Sequence, residues 1–107
     1  MAVTVERGTK QYQGLFKELW IVKETACNFG DAATGSGTFA SLDITVPGVA
    51  LGDMVMGIAL GVDTVDAVIG GAVTAANTVT LTLLNNSAGA IDLASTTCKF
   101  VVGRPSW

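Results

Sequence analysis

From Phe39 to Val46 the chain alternates, with Leu42, Ile44 and Val46 on one side and Ser41, Asp43 and Thr45 on the other. A period of two residues is that of a strand with one buried face. Thr78–Leu84 repeats the pattern more strictly, since Val79, Leu81 and Leu83 face a core while Thr78, Thr80 and Thr82 face out. Threonine suits an outward position because its β-branch fits the pleated backbone. Thr96–Val102 sets Cys98, Phe100 and Val102 against Thr97, Lys99 and Val101. Glu18–Glu24 is apolar in its middle and β-rich in type, which predicts another strand. Asp53–Leu60 differs, because Met54, Met56, Ile58 and Leu60 share one face and Val55, Gly57 and Ala59 the other, so that neither face is strongly polar. Val65–Thr74 is the last expected strand, and Gly70-Gly71 inside it predicts a bulge or bend.

Breaks fall between these runs. Pro47-Gly48 ends one strand because proline cannot donate to a ladder and glycine permits the turn. Residues 28–37, rich in Gly, Ser, Thr and Asp, read as a loop, and Asn85–Ser95 as a longer connection. No helix-period repeat competes. Six short strands with turns at roughly regular spacing predict an all-β chain, an antiparallel β-sandwich or jelly-roll-like barrel over residues 18–107. Residues 1–17 are the least patterned and are expected as an extended N-terminal arm, with Tyr12, Leu15 and Phe16 as its apolar anchor on a neighbour. Trp20, Phe29, Phe39 and Phe100 are expected in the core. Trp107 follows Pro105 and is the last residue, a position suited to partner contact, and Met54 and Met56 are either core filler or an intersubunit seam.

Composition narrows the function. The 107 residues are 50% hydrophobic and only 14% charged, which fits a single folded domain rather than a disordered chain. There is no histidine, the commonest general base and transition-metal ligand. Residues 25–96 carry six aspartates and no lysine or arginine, and such an acidic body disfavours nucleic acid. The apolar run from Val46 to Leu60 is broken by Pro47, Gly48, Gly52, Asp53 and Gly57, too often to span a bilayer. Cys27 and Cys98 form no CxxC motif; two free thiols in a reducing cytoplasm are expected, and a disulfide between them stays open.

The chain offers little for catalysis. Asp53, Asp63, Asp66 and Asp92 match no calcium loop and are expected as solvated turn carboxylates. The Gly-rich run 30–37 is followed by Thr38-Phe39 rather than by the lysine that a phosphate-binding loop requires. A Ser, Cys or Thr nucleophile would have no histidine to activate it. No catalytic residue, cofactor site, metal site or small-molecule substrate is expected.

Three strings remain: Val-Ala-Leu-Gly-Asp-Met-Val (49–55), Val-Thr-Ala-Ala-Asn-Thr-Val-Thr-Leu-Thr-Leu (73–83) and Ser-Ala-Gly-Ala-Ile-Asp-Leu-Ala-Ser (87–95). Together they resemble a recurring small module of tailed-bacteriophage virions, the capsid decoration or cement proteins and related head- or tail-fibre domains. The resemblance covers about half the chain and implies a β-sandwich that oligomerises, often as a homotrimer, on a virion surface. It implies the major capsid protein as partner, synthesis in a bacterial host cytoplasm, and no catalytic residues. A fibre-associated module binding a receptor or glycan is the alternative, and a small glycan hydrolase is disfavoured by size and by the missing histidine.

Overall fold

A computed structural model of the chain describes residues 3–7, 15–29, 31–32, 38–64, 67–85, 89, 91–92 and 95–107. Its strands are β1 (Val3–Arg7), β2 (Phe16–Cys27), β3 (Asp31–Ala32), β4 (Thr38–Thr45), β5 (Met54–Leu60), β6 (Val68–Ala75), β7 (Thr78–Asn85), β8 (Ile91–Asp92) and β9 (Thr96–Pro105). None of the described residues is helical. A four-stranded sheet in the order β1-β2-β9-β5 packs on a three-stranded sheet in the order β4-β7-β6, and β3 pairs with β8. Every pairing is antiparallel. The chain is an antiparallel β-sandwich.

The core lies where the alternating faces meet. Trp20, Val22, Cys98, Phe100 and Val102 come from the four-stranded sheet, and Ile44, Val73, Val79, Leu81 and Leu83 from the three-stranded one. Between β4 and β5 the chain crosses from one sheet to the other through two tight turns. The Val49 amide returns to the Val46 carbonyl (3.4 Å) and the Asp53 amide to the Ala50 carbonyl (3.1 Å). Asn77, at the β6–β7 turn, takes a left-handed φ of 63°, which an asparagine tolerates better than most residues. Its side-chain oxygen accepts from the Gly48 amide at 2.8 Å, and its backbone bonds Val46 and Val49 (2.9 Å each). The β6–β7 hairpin is thereby tied to the crossing segment.

Several expectations change once the strands are paired. Val3–Arg7 runs antiparallel to β2, from Val3 opposite Glu24 to Arg7 opposite Trp20. Part of the segment expected as an arm thus lies along the sheet as an edge strand, and β2 begins at Phe16 rather than at residue 18. Tyr12 lies outside the described residues. The bulge expected at Gly70-Gly71 is not there: both stay in register, opposite Thr82 and Leu81, and the shift falls between Val73 and Ala75. Gly71 serves a different end. A Cβ there would lie 2.8 Å from Leu81 Cδ2, 3.1 Å from Ile58 Cδ1 and 3.2 Å from Val55 Cγ1, so the missing side chain lets β5 and β6 close on each other.

The largest correction concerns β5. Gly57 and Ile58 together face the single residue Phe100, between the pairs Met56–Val101 and Ala59–Lys99. Gly57 takes a φ of 62°, the left-handed geometry that a bulge of this kind uses glycine to reach. One extra residue reverses the alternation that follows it. Val55, Ile58 and Leu60 therefore pack toward the core, and Met54 and Met56 do not share a face with Ile58 and Leu60. Phe39 is also corrected: it is 65% exposed rather than in the core, whereas Trp20, Phe29 and Phe100 are buried.

Candidate interaction face

The outer side of the four-stranded sheet can be built row by row from its register. Leu19 and Met54 both lie opposite Gly103. In the next row Ile21 and Met56 both lie opposite Val101. One row further, Lys23 lies opposite Lys99, which lies opposite Ala59 on its other side. Two apolar rows thus border a row headed by two lysines. Both lysines are exposed, and like charges set directly across a ladder repel. Shallow grooves of about 320 and 280 Å3 flank the pair, the first bordered by Thr4, Ile21 and Gly57 and the second by Ala59, Gly61 and Thr97.

The apolar rows continue to the end of the sheet. A register shift between Phe16 and Glu18 places Phe16 opposite Pro105. A Cβ on Gly103 would come within 2.9 Å of both the Phe16 ring and the Met56 methyl, so the glycine leaves the hollow these two groups fill. The Phe16 and Trp107 rings lie 6.2 Å apart, tilted by 44°, and the Ser106 amide donates to the Leu15 carbonyl at 3.1 Å. Of the candidate contact residues, Leu15, Phe16, Met54, Met56 and Trp107 come together here. Leu15 is 51% exposed, Met54 41% and Trp107 76%. Ile21, Lys23, Lys99 and Val101 join them without having been singled out from the sequence. The signal for Ile21 was that both faces of Leu19–Val22 are apolar; the lysine pairing needed the register.

Beneath this end of the face, Arg104 fastens the last strand to the β4–β5 crossing. Its Nε donates to Asp53 Oδ1 at 3.0 Å and one terminal nitrogen to Asp53 Oδ2 at 2.9 Å. The same nitrogen reaches the Gly48 carbonyl at 3.0 Å, and the guanidinium lies over the Trp20 ring, 5.1 Å from its centroid. The Ala50 amide donates to Asp53 Oδ2 at 2.9 Å. Asp53 is therefore no solvated turn carboxylate; its side chain is only 4% exposed. Burial pushes its carboxyl up, but the Arg104 hydrogen bonds, the Ala50 amide and the Arg104 charge together hold it below the usual value. Arg104 is held more firmly protonated by the bonds to Asp53, against a smaller opposing effect of burial.

The opposite outer face, on the three-stranded sheet, has a different chemistry. Thr80 donates to Asp43 Oδ1 at 2.6 Å and shares a 2.8 Å hydrogen bond with Thr74. Beyond this threonine field, Leu84 pairs with both Phe39 and Val68 in one exposed apolar row. Among the described residues no three His, Cys, Asp or Glu side chains gather as metal ligands, and no helix is long and apolar enough to cross a membrane. Compared with family models, curated proteins and solved structures, the chain matches none.

Proposed function

We propose that this protein is a non-enzymatic structural component of a bacteriophage virion, a decoration or cement protein that assembles as a homotrimer and binds the major capsid protein. The observation that carries this reading is the outer face of the four-stranded sheet, where exposed Leu15, Ile21, Met54 and Trp107 adjoin the opposed Lys23 and Lys99. Small-molecule sites are concave and enclose their ligand. A broad apolar face with cations at its margin suits a protein surface that carries carboxylates. The resemblance of the strings at 49–95 to virion-surface modules supplies the class of partner, and with it the route from host cytoplasm to capsid surface.

Mixing the protein with undecorated capsid shells tests the reading. The wild type is expected to co-sediment with shells and, alone, to scatter light as three copies of the 10.9 kDa chain. Lys23→Glu places opposite charges across the β2–β9 ladder, so its stability should hold or rise by up to about 1 kcal/mol. Its shell binding should nevertheless fall about tenfold or more, a loss of roughly 1.4 kcal/mol. Undiminished decoration by both Lys23→Glu and Ile21→Asp would remove this face as the attachment surface. A wild type that ignores shells but binds glycans would favour the fibre-module reading.

A further inference from the structure

We propose that Cys27 and Cys98 form a latent disulfide site, which closes after folding and joins the adjacent ends of β2 and β9. This inference stands apart from the capsid reading, since it depends only on the sheet. Both cysteines are fully buried and belong to one core cluster. Cys98 lies opposite Glu24 and Cys27 opposite Thr96, with a register shift between the two pairs. That shift turns Cys27 toward the same buried space as Cys98, where both thiols are free. A hydrogen bond with Cys98 comes first in pushing the Cys27 thiol up, followed by burial and the neighbouring charges of Cys98 and Glu24, whereas the same hydrogen bond lowers the Cys98 thiol against the effect of burial. Cys98 is therefore the readier of the two to form a thiolate.

Access comes from the end of the ladder. Cys27 is the last residue of β2 and its partner Thr96 the first of β9, where local opening costs least. The oxidant is a small-molecule disulfide. Cys98, as its thiolate, attacks one sulfur of that disulfide and releases the other as a thiolate, leaving a mixed disulfide on the protein. Cys27 loses its proton and attacks the Cys98 sulfur, which releases the second small-molecule thiolate. Two protein thiols are thus oxidised by two electrons, the reagent is reduced to two thiols, and the two protons pass to them. The bond closes a loop of about 70 residues, long enough to restrict the unfolded chain strongly.

The test uses the whole wild-type protein, purified in dithiothreitol and then exposed to oxidised glutathione. The intact mass should fall by two hydrogens, no thiol should react with iodoacetamide in denaturant, and a peptide map should link Cys27 to Cys98. The melting temperature should rise by about 10 °C or more and return on reduction. Two alkylatable thiols after the same exposure, a persistent glutathione adduct, or disulfide-linked dimers would overturn the proposal. Cys98→Ala should abolish the oxidant-dependent shift, and a retained shift in that variant would also overturn it. Should the variant fail to fold, the mass and peptide map of the wild type still decide.

Discussion

Replacing Arg104 by lysine keeps the charge but removes the fork that holds Asp53. In the native protein two nitrogens of one guanidinium reach both carboxylate oxygens at 3.0 and 2.9 Å. The same group bonds the Gly48 carbonyl and covers the Trp20 ring. Lysine is a point donor that cannot make the paired contact or stack as a plane. Hydrogen bonds to charged groups contribute about 1.5–3 kcal/mol, and cation–π contact about 0.5–2 kcal/mol. Arg104 is 32% exposed, so solvent screening places the expected effect toward the low ends of those ranges. Arg104→Lys should cost about 1–2 kcal/mol and Arg104→Ala about 2–4 kcal/mol, the latter because a nearly buried carboxylate loses its cation. Urea unfolding of both variants, of Asp53→Asn and of the double variants measures the coupling directly. The pH dependence has a fixed sign. Asp53 is depressed in the folded state, so its contribution is fully present above the ordinary carboxylate value near pH 4 and is lost as pH falls through the lower folded value. A coupling indistinguishable from zero at pH 7, or one that does not decline as pH falls below about 4, would show that the Arg104 fork does not hold Asp53 ionised.

Two further outcomes concern the sandwich itself. Gly57→Val should cost about 1–2 kcal/mol by urea denaturation, because nothing lies within 4 Å of the added Cβ and the penalty is that of a left-handed backbone alone; Gly57→Asn should cost less. Leu81→Ala removes a fully buried side chain at the centre of β7 and should lower stability by about 2–5 kcal/mol. An effect below about 0.5 kcal/mol would mean that this position does not lie in the packed centre.

The strands that alternate cleanly were legible from the residues alone, since β4 and β7 each carry one apolar and one largely polar face and β9 carries one continuous apolar face at Cys98, Phe100 and Val102. Asp43, Thr80 and Lys99 turn outward where the period of two places them. The face of β5 was not legible. Its residues are apolar on both sides, and the bulge at Gly57-Ile58 exists only in relation to Phe100 on another strand. Asp53 looked like a turn carboxylate because its partner Arg104 is about 50 residues further along the chain. Leu15, Phe16, Met54, Met56 and Trp107 stood out as apolar groups in weakly patterned or two-faced segments. Their gathering on one face depends on Gly103, whose missing side chain admits Phe16 and Met56, and nothing local to Gly103 announces that role.

The Lys23–Lys99 pair bears on the proposed function because like charges set directly across a ladder repel and so favour a partner that carries carboxylates. Directly opposed like charges destabilise a ladder by up to about 1 kcal/mol, and an opposite pair would add stability by a similar amount. Threonine or glutamate at either position would suit the free sandwich better. Carboxylates on a partner would offset that repulsion, and the adjoining apolar rows would lose water in the same event. Each 100 Å2 of apolar surface so covered is worth about 2.5 kcal/mol before the costs of association. The lysines would then set the orientation and the encounter rate, while the apolar rows supply the affinity. Placing both on the outer side of one sheet, with Gly103 shaping the apolar rows, suits the proposed role of covering another protein's surface.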